Sequence, residues 1–345
     1  MSKKLRMALI GLGNNMLNAH VPRVINHPDV ELVALVDPVP AAVERARARY
    51  PALAALPVFA THQEMLQAVH PDAVEISTPH AFHCRQIVDS LRAGAHVLVE
   101  KPMVNSVAEA HEVLRARDEM GKIVLVSYQR HYQPAFRAMK RIIEAGTIGE
   151  IQFIVALQNQ QWYASKFRTP ELPWRVKPEL SGGGQLNDSG SHLIDILLYI
   201  TGLQPQRVFS LQQNFALPVD VNSAIAVHFT NGANANISIV GNAPGIGGAV
   251  WEDITIYGSK GALYYRMLGQ PDFKPWLQLR LIGQPEPVEI GPLPEGSTPD
   301  ANFINACLGR EPVESPAECG LRVIQLTEAA WKSAATGQPV DVTAG

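Results

Sequence analysis

Two side chains suited to acid–base chemistry lie within a glycine-rich stretch, residues 182–192. The stretch reads GGGQLNDSGSH and contains Asp188 and His192, four residues apart. If a helix begins there, both side chains lie on one helical face. Because imidazole titrates near neutral pH, His192 can remove the proton of a substrate hydroxyl, while Asp188 orients the substrate or the ring. Asp195, further along the same segment, is a candidate to hold the His192 ring. The structural alternative is that Asp188 caps the helix and His192 packs within it.

A lysine follows the apolar run 95–99, within the sequence Glu100-Lys101-Pro102. Ligands of open α/β sheets bind outside the carboxyl ends of the strands. A lysine at such a position can hydrogen-bond a substrate hydroxyl and stabilise developing alkoxide charge. The alternative interpretation is a surface lysine in a turn.

The glycines of Gly11-Leu12-Gly13 separate the first apolar run from a helix-like segment. This arrangement is typical of a Rossmann phosphate loop, in which glycines let the backbone approach a pyrophosphate at a helix N-terminus. Met16 replaces the third glycine of the usual pattern, which predicts an altered helix–strand fit and not the loss of the phosphate site. Asp37 ends the second apolar run, where a carboxylate accepts the ribose hydroxyls of NAD and repels a 2′-phosphate. No arginine follows it, so NAD is expected over NADP. A plain strand-end turn is the alternative for Asp37.

The elements that position these residues alternate regularly over the first part of the chain. Apolar runs occur at 5–10, 31–36, 73–77, 95–99 and 123–127, and helix-like segments at 40–50, 80–93 and 106–120. Such alternation predicts βαβ units and a parallel sheet. We therefore expect an N-terminal Rossmann domain over residues 1–128.

The second part of the chain has a different pattern. Helix-like segments occur at 132–145 and 315–335, and strand-like runs at 150–158, 206–213, 223–229, 234–240 and 252–257. The runs are closely spaced, and Asn231-Gly232 between two of them is a hairpin signal. We expect residues 129–345 to form an α+β domain with a large, mostly antiparallel open sheet.

Composition excludes several classes of protein. The 345 residues have a formal net charge of −3 and no basic run, which argues against a nucleic-acid partner. No apolar run reaches the length of about 18 residues that a membrane span needs. The basic and apolar start, residues 1–12, is interpreted as a first strand and not as a signal peptide. The three cysteines are scattered, and a cytoplasmic protein without a metal site is expected. His80 and His83 alone are weak evidence for a metal pair.

The chain resembles the glucose–fructose oxidoreductase / inositol dehydrogenase / MocA (Gfo/Idh/MocA) family over almost its whole length. The matching stretches are GLGNNMLNAH (11–20), STPHAFHCRQIVDSLRAGAHVLVEKPM (77–103), AGTIGEIQ (145–152), GGGQLNDSGSHLIDILLYITG (182–202) and GSKGAL (258–263). The E-K-P motif and the later G-G-x-x-x-D-x-G-x-H-x-x-D are specific in combination. Met16 departs from the family pattern. The family varies widely in substrate, so the resemblance does not identify a particular sugar.

The resemblance implies roles for individual residues. His192 would be the acid/base, Lys101 would assist while contacting the nicotinamide region, and Asp188 would hold the substrate. The expected cofactor-binding residues are Gly11, Gly13, Asn14, Asn15, Asp37, Thr78, Pro79, His83, Glu100 and Lys101. The expected substrate-binding residues are Asp188 and His192 from the resemblance, and Arg130, Trp162, Trp174 and Arg175 from their positions along the chain and their side-chain chemistry. Tryptophan faces stack on sugar C–H surfaces, and arginine donates to hydroxyl or carboxylate oxygens. Core or surface packing explains the two tryptophans and the two arginines equally well.

The implied activity is NAD-dependent hydride transfer at a carbinol carbon of a sugar, a sugar derivative or an inositol-like cyclic polyol. Two alternatives stay open. One is an NAD-recycling redox glycoside hydrolase of the same family, and the other is a non-catalytic NAD- or sugar-sensing protein. The presence of Lys101 and His192 argues against the sensor. Since family members commonly pair through the open sheet, a homodimer or homotetramer is also expected.

Overall fold

A computed structural model of the chain describes residues 4–163, 173–243, 250–268 and 275–342. The chain divides into two compact units. The first comprises Met1–Gln129 and Ser297–Leu321, and the second comprises Arg130–Gly296 and Arg322–Gly345. Each unit is built around its own sheet.

The first unit contains a 6-stranded parallel sheet with the strand order β3-β2-β1-β4-β5-β6. Its strands are β1 (Leu5–Ile10), β2 (Val30–Val36), β3 (Val58–Phe59), β4 (Ala73–Ile76), β5 (His96–Val99) and β6 (Val124–Val126). The central strands are buried on both faces, as expected for a parallel sheet covered by helices. The predicted Rossmann arrangement is confirmed, and β3 is an edge strand too short to be evident from the sequence.

Helices connect these strands and their ends follow ordinary capping chemistry. They are α1 (Val21–Val24), α2 (Pro40–Arg49), α3 (His62–Val69), α4 (His83–Arg92) and α5 (Val107–Met120). Thr61 and Glu64 form a capping box at the start of α3, and Ser106 caps α5. Gly121 ends α5 in the left-handed conformation, which glycine adopts without steric strain.

The segment 297–321 belongs to the first unit, although it lies within residues 129–345, which were expected to form the second domain. The physical reason is apolar burial. Phe303 and Ile304 of this segment are fully buried in the core cluster that also contains Met7 and Leu9 of β1. The sequence alone does not show against which sheet these apolar side chains pack.

The second unit contains an 8-stranded sheet with the order β13-β12-β11-β7-β10-β9-β8-β14. Its strands are β7 (Ile151–Gln160), β8 (Pro205–Gln213), β9 (Asn222–Phe229), β10 (Asn234–Val240), β11 (Val250–Gly258), β12 (Gly261–Leu268), β13 (Trp276–Leu281) and β14 (Val340–Asp341). β7 and β10 pair in parallel, and the other neighbours are antiparallel. The predicted mostly antiparallel sheet is confirmed, and Asn231-Gly232 lies in the turn between β9 and β10.

The remaining helices are α6 (Pro134–Glu144), α7 (Pro178–Ser181), α8 (Gln185–Asp188), α9 (Gly190–Thr201), α10 (Pro299–Cys307) and α11 (Ala317–Thr336). In the second unit, α9 packs against α6, and side chains of β9 alternate strictly between buried and exposed positions. Within the described residues, no helix is both long and apolar enough to cross a membrane.

Candidate functional site

Predicted cofactor residues of the first unit lie at the ends of four strands. Gly11 directly follows β1, Asp37 directly follows β2 and Glu100 directly follows β5, while Thr78 lies two residues after β4. These strands are parallel neighbours, so their carboxyl ends meet at one edge of the sheet. β1 lies between β2 and β4, and this reversal of strand order creates the crevice where ligands of such sheets bind.

The two glycines of the loop after β1 serve different purposes. Gly11 has a φ of +86°, and a Cβ there would lie 2.6 Å from the Ser77 carbonyl oxygen. Gly11 is therefore required by the backbone itself. A Cβ on Gly13 would meet no atom within 4 Å, so this position leaves the backbone open to a ligand. The loop fits a pyrophosphate, and the backbone at Gly13 is where the pyrophosphate would come closest.

The Asp37 carboxylate is oriented by the same loop. Leu12 donates its backbone N–H to Oδ2 at 2.8 Å, and Val39 donates to Oδ1 at 2.9 Å. The side chain is half-buried, and each oxygen keeps a second acceptor site. This fits a carboxylate that accepts ribose hydroxyls.

The helix after the loop contains a π-helical segment, Met16–His20, which leads into α1. Met16, at the position of the missing glycine, is fully buried. Asn14 and Asn15 are exposed, and Asn15 Nδ2 lies 3.4 Å from the Ser77 hydroxyl. The π-helical segment is a local widening of the helix at this position.

His83 braces two loops and does not face solvent. Its ring is fully buried, with Nδ1 at 2.9 Å from the Pro102 carbonyl oxygen and Nε2 at 3.0 Å from that of Thr78. Burial lowers its pKa, and the two carbonyl oxygens offset this only in part. Thr78 donates its hydroxyl to Gln86 Oε1 at 2.6 Å, and Pro79 precedes the short helix His80–Phe82. The position of His83 favours support of the E-K-P turn over direct contact with a cofactor.

A buried charged cluster lies behind the E-K-P turn. His20 Nε2 lies 3.1 Å from Glu100 Oε1, and its Nδ1 lies 2.8 Å from Asp300 Oδ1. Burial opposes the charged ring, but Asp300 and Glu100 raise the pKa of His20 well above its ordinary value. Burial likewise opposes a charged Glu100, yet His20 holds the pKa of Glu100 well below its usual range. The Glu100 carboxylate thus faces an imidazolium, while the half-buried Lys101 follows it.

In the second unit, three predicted residues meet at one carboxylate. Trp162 donates its indole N–H to Asp188 Oδ2 at 2.9 Å, and Arg175 Nε lies 3.0 Å from the same oxygen. The Arg175 guanidinium also lies over the Trp174 ring, 4.4 Å from its centroid. Asp188 is buried and ends α8. The half-buried His192 follows in α9, so Ser189 interrupts the single helix that the spacing suggested.

Two predicted residues are engaged elsewhere. Arg130 is buried and forms an ion pair with the buried Glu252, so its charge is neutralised within the unit. This favours a structural role over a substrate contact. Asp195 lies 2.7 Å from Nε2 of His131, which comes from a different segment of the chain. Asp195 therefore pairs with His131 and not, as the spacing had suggested, with His192. Trp162 is also buried, which favours support of Asp188 over stacking on a sugar.

Sequence reasoning missed two groups. His20 ends the stretch 11–20. A histidine within an otherwise mostly apolar helical segment was the sequence signal that could have identified it as a buried polar group. Asp220 is buried and binds the backbone of the glycine-rich stretch, at a sequence separation of 36 residues from Gly184. No local pattern identifies such a partner.

Two family models match the chain. Residues 5–128 match the model described as the oxidoreductase family, NAD-binding Rossmann fold. Residues 136–264 match the GFO/IDH/MocA C-terminal domain.

Named proteins are similar over part or all of the chain. D-glucoside 3-dehydrogenase of Escherichia coli is 30% identical over 58% of this chain and 55% of its own. Levoglucosan dehydrogenase of Pseudarthrobacter phenanthrenivorans is 26% identical over 56% of this chain and 54% of its own. The chain thus spans about half the length of these curated relatives. The structure of the WlbA dehydrogenase from Bordetella pertussis, in complex with NADH and UDP-GlcNAcA, is 25% identical. It covers 100% of this chain and 99% of its own, with a TM-score of 0.84.

Proposed function

The chain belongs to the Gfo/Idh/MocA family of oxidoreductases, and from this premise we propose that it is an NAD-dependent dehydrogenase or reductase. Its substrate would be a sugar, a sugar derivative or a cyclic polyol with a reactive carbinol carbon. The observation that carries the proposal is that Trp162 and Arg175 both bind the Asp188 carboxylate, shortly before the helix that contains His192. A carboxylate fixed in this way four residues before a histidine suits recognition and deprotonation of a hydroxyl.

The residues at the sheet edge of the first unit would hold NAD. The open backbone at Gly13 would approach the pyrophosphate, and Asp37 would accept the ribose hydroxyls. Asn14, Asn15, Thr78 and the loop around it would line the same edge. When bound, the nicotinamide accepts or supplies the hydride. A 2′-phosphate would meet the Asp37 carboxylate, which supports NAD over NADP.

Three side chains would act on the substrate. His192 would take the hydroxyl proton during oxidation and return it during reduction. Asp188 would orient the hydroxyl, and Lys101 would stabilise the alkoxide charge that develops as the proton leaves. Arg175 and Trp174 are the remaining candidates for substrate contact. Arg175 is partly exposed and contacts Asp188 through its Nε atom.

The open face of the 8-stranded sheet supports a homo-oligomer. The strand register places four exposed apolar side chains on this one face, and these are Val155, Leu211, Tyr257 and Trp276. These side chains offer apolar area on one sheet face that association with another copy would bury. A second copy of the chain is the proposed partner.

The test is a substrate panel of inositols, aldoses and glycosides, with NAD and the absorbance of NADH as the readout. NADH production that His192→Ala abolishes and His111→Ala preserves would support the proposal, because His111 is a half-buried histidine of α5, outside the proposed site residues and the sheet face. NAD that copurifies and turns over glycosides without net NADH would instead support the NAD-recycling glycoside hydrolase. No turnover and no NAD binding would contradict the proposal.

A further inference from the structure

A buried aspartate in the loop between β8 and β9 binds the backbone of the glycine-rich stretch. Asp220 Oδ1 accepts the N–H of Gly184 at 3.1 Å, and Oδ2 accepts that of Leu186 at 2.7 Å. The Asp220 carbonyl oxygen accepts the N–H of Gln185 at 2.9 Å. Asp220 therefore satisfies three consecutive donors at the start of α8, the helix that ends in Asp188.

The glycines of this stretch permit that close approach. A Cβ on Gly184 would lie 1.9 Å from the Asp220 carbonyl oxygen, and a Cβ on Gly183 would lie 2.2 Å from the Trp331 ring. Trp331 in turn donates its indole N–H to Asp220 Oδ1 at 3.1 Å. The glycine-rich stretch is thus shaped to receive Asp220 and Trp331, and not only to turn the chain.

The same loop is also linked to Asp188 through Trp162. Val219 and Val221, which flank Asp220, are buried in an apolar cluster with Trp162. Trp162 donates its indole N–H to Asp188. One loop of three residues therefore fixes both the helix that carries Asp188 and the tryptophan that binds its carboxylate.

We propose that Asp220 is a positioning residue that sets the orientation of Asp188 through these two routes. The proposal rests on the function proposed above, in which Asp188 holds the substrate. Burial keeps water from replacing the lost bonds if the carboxylate is removed, so the helix start would have to shift. A carboxamide in its place would direct an N–H₂ group at one of the backbone donors.

The first experiment observes the hydrogen bond between Trp162 and Asp188 directly and needs no substrate. The chain has five tryptophans, so a ¹⁵N-tryptophan label gives few indole N–H signals, and Trp162→Phe and Trp331→Phe assign two of them. In Asp220→Asn, the signals of both Trp331 and Trp162 should move. Asp253→Asn, which alters an aspartate paired with Arg266 on the sheet, should leave both in place. Movement of the Trp331 signal alone would overturn the proposal.

A second variant covers the case in which Asp220→Asn does not fold. Trp331→Phe removes one donor from Asp220 and should move the Trp162 signal in the same direction by a smaller amount. An unchanged Trp162 signal in a folded Trp331→Phe protein would overturn the proposal.

Kinetics separate this proposal from the proposed function. With the compound that first reduces NAD, Asp220→Asn should lower kcat by roughly 10- to 100-fold, because small misplacements of reacting groups cost about that much. The affinity for NADH, measured by fluorescence, should stay unchanged. A large effect of His192→Ala with normal kcat in Asp220→Asn would refute the positioning role alone. Normal kcat in both variants would refute the proposed function.

Discussion

Glu75 provides a sharp test of the electrostatics behind the E-K-P turn. It lies on β4 and is fully buried, and neither carboxylate oxygen has a hydrogen-bond partner among the described residues. Burial raises its pKa from 4.5 to about 8; Asp300 and Glu100 add to this, while His20 and Arg23 oppose it. Glu75 is therefore protonated in the folded protein at neutral pH and ionised in the unfolded chain.

The effect on stability follows from this difference in proton binding. A raised pKa of an acid means that the free energy of unfolding falls as pH rises from the unfolded value of 4.5 to the folded value of about 8. Each pH unit in this window costs about 1.4 kcal/mol, so the loss at neutral pH is on the order of 3 kcal/mol. Glu75→Gln keeps the shape and stays neutral. It should match the wild type below the window and exceed it by about 3 kcal/mol at neutral pH.

The assay is urea denaturation of both proteins at several pH values between about 4 and 9. Glu31→Gln is the matched control, since Glu31 is exposed on the neighbouring part of the same sheet. The stability difference between Glu75→Gln and the wild type should grow with pH, whereas the control difference should stay flat. Parallel curves, or a variant less stable than the wild type at every pH, would show that Glu75 is ionised and paired with His20.

Three further predictions concern the proposed chemistry and assembly. His192→Ala should lower kcat by roughly 10²- to 10⁴-fold in the NADH assay if His192 is the base, and near-normal turnover would remove that role. Asp37→Ala should weaken NADH binding more than NADPH binding in fluorescence titrations, and equal losses would take Asp37 out of the ribose site. Leu211→Glu places a charge on a side chain that is 61% exposed on the sheet face and should shift the protein toward monomer in sedimentation velocity. An unchanged sedimentation coefficient would argue that this face is not the interface.

Much of the fold and half of the candidate site were predictable from local sequence. The alternation of apolar runs and helices predicted the parallel sheet. Gly11 and Asp37 were singled out because each directly follows a strand, and Lys101 because it lies two residues after one. Since parallel strands end at one edge, the sequence order of these residues already implied their proximity. The Asn231-Gly232 turn was likewise predictable, because its backbone conformation depends on its own residues.

The tertiary structure alone decided which distant groups complete these local features. The sequence suggested Asp195 as the partner of His192, yet Asp195 binds His131, and Asp220 binds the backbone before Asp188. The segment 297–321 looked like part of the second domain but packs in the first unit. Period and spacing report only which side of an element a residue faces. The partner on that side is selected by burial and by the need to satisfy buried polar groups, and both depend on chain segments far apart in sequence.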